Sequence, residues 1–188
     1  MVTVSGAVLF FVAIILLAQV LAPSEYHWML NTVSDLGAQH YHWAWLMRLG
    51  FMGFGGLVST AVLSSFMRAE TRNYSDLLIV VYALCVSLSG VFSTAPFTGS
   101  EEFSTTEDYW HSFFAQTAGI AFSLGILWHL LAYAEGGQKL IHLTLLAMIL
   151  GCSALVGLAK SGSIPIGLGL IQRGLYGVSF IWLIWRYR

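Results

Sequence analysis

Charge is what this chain has least of. Its 188 residues include 8 Lys or Arg and 9 Asp or Glu, together 9%, where a soluble domain carries about 25%. Too few charges are present to clothe a solvated globule. Cysteine is almost lacking as well. Cys85 and Cys152 sit in the middle of apolar runs, where a thiol packs as a small hydrophobe. With no C-x-x-C pair, a thiol redox motif is excluded. Also missing are a G-x-S-x-G elbow, a phosphate loop, a dinucleotide glycine fingerprint and a basic patch. Nucleic acid is therefore not an expected partner.

Long apolar runs are what the chain does have. Hydrophobic residues make up 57% and the mean hydropathy is +0.77. A membrane helix needs about 20 mainly apolar residues to cross a core of roughly 30 Å. Six runs qualify: 3–22, 43–67, 77–96, 110–134, 140–159 and 168–185. They are continuous rather than alternating, which speaks against a barrel. The connections are short and leave nothing for a separate soluble domain. The expected fold is all-α, one transmembrane bundle of six helices over residues 1–188. The first run lacks a basic n-region and is long for a signal peptide, so it is read as a retained helix.

Lys and Arg concentrate in cytoplasmic loops. Arg68, Arg72, Lys139, Arg186 and Arg188 fall on one side, against Lys160 in a loop on the other. This places both termini in the cytoplasm. The outward loop 97–109 carries four acids and no base, as a solvated loop does; an ion-attracting rim is the alternative. Aromatic belts follow the same boundaries, with Trp28, Trp43, Trp45, Tyr109 and Trp110 outside and Trp128, Tyr133, Trp182, Trp185 and Tyr187 inside. Small residues recur along the helices: Gly50, Gly53, Gly56 and Thr60; Ser89, Ser93 and Pro96; Ser112, Gln116, Gly119 and Ser123; Gly167, Gly169, Gly174 and Gly177. Close helix packing in lipid explains such stripes. Gln116 stands apart, because an amide in lipid needs a partner inside the bundle.

Only Arg48 and Arg173 are charged within the runs, both about five residues in from the outer face. The segment 23–42 is too polar to span. Ser24 caps a short interfacial helix in this reading and Gly37 ends it, which returns Asp35 over the bundle mouth. Asp35, Arg48, His111, Gln172 and Arg173 then share one outer-leaflet layer. An arginine costs about 2.5–3.5 kcal/mol at a helix centre. One reading pairs Asp35 with Arg48 or Arg173 to fix the fold. The other is an anion site, because two guanidiniums suit phosphate or carboxylate bidentately.

As metal ligands the histidines fit poorly. His111 and His129 lie on one helical face but about 27 Å apart along the axis. His129 and His142 flank the inner hairpin and could approach each other, yet two histidines make a poor zinc site. His40, His42, Asp35 and His111 could supply enough ligands outside, without a recognised spacing. No metal and no cofactor is expected.

The order of features resembles domain-of-unknown-function family 998, six-helix membrane proteins of bacteria and archaea. The likeness is carried by Ser34-Asp35-Leu36-Gly37, a glycine-rich second helix, Ala95-Pro96-Phe97, an acidic loop leading to His111, and Gln172-Arg173. It spans nearly the whole chain. The resemblance implies a multi-pass protein of a bacterial or archaeal cell membrane. Near Arg48 the family pattern has asparagine, so Asp35, His111 and Arg173 carry over better. A more distant likeness to zinc-dependent membrane hydrolases lacks their histidine pairs at four-residue spacing. Three functions follow as expectations. The first is a binding or accessory protein whose outer pocket holds an anionic lipid head group, with membrane lipids or another membrane protein as partners. The second is a membrane-embedded hydrolase using His111 and Asp35, with His40 or His42 as a further member. The third is a small-anion transporter, for which the two halves show no convincing internal repeat.

Overall fold

The computed structural model describes residues 2–98 and 102–188. Regular structure among them is helical: α1 (Val4–Val20), α2 (Ala44–Arg68), α3 (Ser75–Val91), α4 (Thr105–Ala132), α5 (Gly136–Lys160) and α6 (Leu168–Arg186), with a short 3-10 helix at Ser34–Gly37. Each of the six long helices covers one of the apolar runs. α2, α4, α5 and α6 are long and apolar enough to cross a membrane. At 17 residues, α1 and α3 are apolar but shorter, about 26 Å each at 1.5 Å per residue.

Local chemistry sets those ends. α1 starts where the Thr3 hydroxyl accepts from Gly6 N at 3.1 Å, the usual use of a threonine N-cap. Its apolar run stops before Pro23, which cannot continue a helix. α3 was expected to reach residue 96 but ends at Val91, because Phe92 turns extended. Beyond it, Glu107 accepts from Ser93 N and Asp108 from Ala95 N. Two acids of the outer loop therefore clamp main chain; Glu101, another acid of that loop, lies outside the described residues. Ser104 caps α4 by accepting from Glu107 N.

Neighbours in sequence are neighbours in space. α1 packs on α2, α2 on α3, α3 on α4, α4 on α5 and α5 on α6, and α6 returns to α1. Aromatic rings fill the closed ring of helices: Phe11 stacks on Phe54 at 4.7 Å, Tyr82 meets Phe122 at 4.6 Å, and Phe122 meets Trp182 at 5.3 Å. α2 and α3 approach most closely at glycines. A Cβ on Gly55 would strike Ala83 O and Ser87, and one on Gly90 would strike Arg48 O and Phe51.

The small-residue stripes divide. Gly50 and Gly53 meet Ile14 and Phe10 of α1 as packing predicts. Gly119, Gly174 and Gly177 have nothing against them, and Gln116 is exposed. The expected partner for Gln116 inside the bundle is thus corrected. His111, Ala118, Phe122, Gly125 and His129 set the buried face of α4, and position 116 falls nearly opposite Ala118 at 100° per residue. Trp182 likewise leaves the inner belt for the core, at 1% exposure. α5 stands apart from the other helices. Only His142, Leu146 and Ile149 are buried on it, and none of residues 150–160 is.

Candidate functional site

Asp35, Arg48, His111, Gln172 and Arg173 sit at the end of the bundle expected to face outward, and all of them bond to main chain. Arg48 donates from Nε to Gly90 O at 3.2 Å and from Nη2 to Val91 O at 2.5 Å. His111 holds Nδ1 at 2.7 Å from Ser89 O and 3.2 Å from Phe92 O. Carbonyls only accept, so His111 carries its proton on Nδ1. Both side chains satisfy the open carbonyls at the C-terminus of α3, where a cation also meets the negative end of the helix dipole.

Gln172 and Arg173 do the same for segment 28–33. Gln172 Oε1 accepts from Val33 N at 2.6 Å. Arg173 donates to Trp28 O at 2.6 Å, Asn31 O at 3.1 Å, Gly169 O at 3.1 Å, Gln19 Oε1 at 3.1 Å and the Tyr26 hydroxyl at 2.6 Å. Gly169 N and Leu170 N donate to Leu30 O and Met29 O, so the same segment caps the start of α6. Main chain comes so near that a Cβ on Gly167 or Gly169 would collide with carbonyls of residues 28–31.

The expected ion pair of Asp35 with either arginine does not form. Asp35 accepts from Thr32 N at 2.7 Å and Asn31 Nδ2 at 3.5 Å, and its own N–H donates to Thr32 Oγ1. Burial raises the Asp35 carboxyl above its ordinary range; the Thr32 and Asn31 hydrogen bonds and nearby His111 pull it back. Carbonyl oxygens, already unsatisfied at a helix end and a tight segment, supply the compensation that a carboxylate was expected to give. The structure thus joins Arg48 with His111, and Gln172 with Arg173, around two separate stretches of backbone. Asp35 meets the second group through Thr32 and Asn31 and lies near His111 of the first. His40 reaches Glu102 O at 3.0 Å rather than converging with His111. Among the described residues no three of His, Cys, Asp and Glu gather as metal ligands.

The inner end is built differently. α4 ends at Ala132 and α5 begins at Gly136, whose φ of +50° suits the tight turn that only glycine makes without strain. That hairpin sets the His129 and His142 rings 4.5 Å apart. A cavity of ≈ 370 Å³ opens there, lined by His129, Tyr133, Gln138, His142, Trp185 and Arg186. Each histidine has one nitrogen engaged: Asn73 Nδ2 lies 2.7 Å from His129 Nδ1, and Trp182 Nε1 donates to His142 Nδ1 at 3.0 Å. Behind them, Asp76 accepts from Arg186 Nη2 at 3.2 Å and from the Tyr187 hydroxyl at 2.8 Å. Trp185 also walls a second, apolar groove of ≈ 640 Å³ between α5 and α6, with Arg188 at its border.

Sequence reasoning foresaw the approach of His129 and His142 but weighed it only for zinc. It counted Arg186 as a topology marker and Trp185 as a belt residue. Asn73, Asp76, Tyr133 and Gln138 were missed as neighbours of the pair. A usable signal was there: a histidine on each side of a two-glycine turn, with Trp182, Trp185 and Arg186 on one stretch of the last helix.

No curated protein and no solved structure matches the chain. A family model does, over residues 4–186. The chain belongs to the family described as "Protein of unknown function (DUF998)".

Proposed function

We propose that the chain is a six-span protein of the cell membrane with both termini in the cytoplasm, acting as a binding or accessory protein. In this reading its ligand occupies the cavity at the inner ends of α4, α5 and α6. The single observation that carries it is the contrast in engagement. The outer arginines, Gln172 and His111 are bound to main chain, while His129, His142 and Arg186 line open space. Small ligand pockets start at about 300 Å³, and this cavity reaches that size. The five basic residues at the same end support the cytoplasmic placement.

The hydrolase reading has less behind it. His111 holds its Nδ1–H on carbonyls, which leaves Nε2 as an acceptor, but among the described residues no three of His, Cys, Asp and Glu gather to hold a metal. The anion transporter has less support too, because Arg48 and Arg173 are engaged by backbone carbonyls.

Two experiments test the proposal. In a background without Cys85 and Cys152, Glu102→Cys should react with an impermeant maleimide in intact cells and Glu70→Cys should not. The reverse pattern inverts the topology. For the site, the protein is extracted in mild detergent and weighed by native mass spectrometry, as wild type and as His142→Phe. A retained adduct that falls about tenfold in His142→Phe and persists in Arg173→Lys supports the inner cavity. Equal retention by wild type and His142→Phe removes it.

A further inference from the structure

We infer that the inner cavity is a site for a phosphate-type oxyanion, held by the Nε2–H groups of His129 and His142 together with Arg186. The inference rests on the reading that this cavity is the ligand site, and it names the chemistry of the ligand.

Hydrogen-bond direction fixes both tautomers. Ser75 N lies 3.1 Å from Asn73 Oδ1, and a backbone N–H only donates, so the amide oxygen is at that position. The Asn73 NH₂ therefore faces His129 Nδ1 at 2.7 Å. Trp182 Nε1–H, a donor only, faces His142 Nδ1 at 3.0 Å. Both Nδ1 atoms are acceptors, and each neutral ring carries its proton on Nε2. Neither Nε2–H meets a partner among the described residues. Histidines that bind a metal through Nε2 instead donate from Nδ1, so this pair is set to donate.

Arg186 adds to the surplus of donors. Asp76 takes one arm of its fork, while Arg186 Nε is buried without a partner among the described residues. The Tyr133 hydroxyl accepts from Tyr74 N at 3.2 Å and keeps its own O–H to give. Several donors around one small space call for several acceptors on one small group, and an orphan charged donor is costly unless an anion meets it. Asp76 offsets much of the Arg186 charge, so selection rests on directed hydrogen bonds more than on net charge. Phosphate offers enough oxygens. It could come from a lipid head group, whose chain would enter the apolar groove beyond Trp185, or from a soluble phosphate.

The test uses the full chain with ¹⁵N-labelled histidine in phosphatidylcholine nanodiscs, read by NMR. One arm titrates inorganic phosphate against chloride, and the other adds phosphatidic acid to the nanodisc. His40, whose Nε2 meets Glu102 O, should show the Nε2–H pattern outside the cavity; within it, His129 and His142, identified by Asn73→Ala and Trp182→Phe, should show it too. Their Nε2–H signals should move in one arm only, which names the source. Arg186→Lys keeps a charge for Asp76 but loses Nε, and should weaken the response about tenfold. Gln138→Leu, at the exposed mouth, provides a second variant should Arg186→Lys misfold. Protons on Nδ1, or still signals in both arms, overturn the inference. Ligand retention that depends on His142 while both arms stay silent leaves the cavity as a ligand site and removes only the oxyanion.

Discussion

At the outer end His111 carries its proton on Nδ1 and gives it to the last carbonyls of α3. At the inner end His129 and His142 carry theirs on Nε2, because Asn73 and Trp182 donate to the other nitrogen. Arginine repeats the contrast. Arg173 has five hydrogen bonds, whereas Arg186 has one arm on Asp76 and its Nε unmet. Residue types are thus similar at the two ends, and the roles are opposite. What separates them is the backbone nearby. Outside, a polar segment and the early end of α3 bring unsatisfied carbonyls, which take both bonds of Arg48, those of His111 and three of the five of Arg173. Inside, the hairpin of α4 and α5 is short and satisfies its own carbonyls, as where Tyr133 N and Ala134 N return to His129 O. Donors are left over.

The largest effect should come from Arg173. Arg173→Leu strands carbonyls of Trp28 and Asn31 along with Gln19 and Tyr26, and should cost about 3 kcal/mol or more in reversible unfolding in mixed micelles. Wild-type stability with a lost ligand adduct would break the comparison, since Arg173 would then be a binding residue. Next comes Gly169→Ala, whose Cβ meets carbonyls of segment 28–31. Overpacking of this kind costs about 1–3 kcal/mol, and thermal melting in detergent reads it. Gly177→Ala, with nothing against it, serves as the null control, and equal losses would deny the outer clamp. At the inner end, Tyr133→Phe keeps the ring but removes the hydroxyl that accepts from Tyr74 N. A loss of about 1 kcal/mol is expected there, with a weaker phosphate response. An unchanged response would remove Tyr133 from the site.

The smallest effect concerns Asp35 and sharpens the outer half of the comparison. Burial raises its carboxyl in the folded chain. The contribution is therefore fully present below the unfolded value, about 3.9, and is lost as pH rises through the raised folded value. Melting temperature, wild type minus Asp35→Asn, should fall as pH rises through that window. A rise would mean that the Thr32 and Asn31 hydrogen bonds, or a cation, outweigh burial at the carboxylate.

Much of the outer layer was legible because depth follows from counting along a helix. Arg48, His111, Gln172 and Arg173 fall at one end of the bundle, as counted. Their partners were not legible, since carbonyls carry no letter in the sequence and Asp35 does. A carboxylate is the visible candidate for a guanidinium, and α3 ending five residues early is what put carbonyls in its place. At the inner end, the nearness of His129 and His142 could be read from a short hairpin. Their tautomers could not, because these depend on Asn73 and Trp182, which lie 56 and 40 residues away.

By itself the sequence determined the class of this protein, its six helices, the approximate bounds of each and the sidedness of its charge. Apolar length and charge placement are local, one-dimensional quantities that a lipid core reads directly. Tertiary structure alone decided which polar groups have partners. A hydrogen bond requires a donor and an acceptor within about 3 Å and in line, and that condition is met or missed only when distant helices take their places.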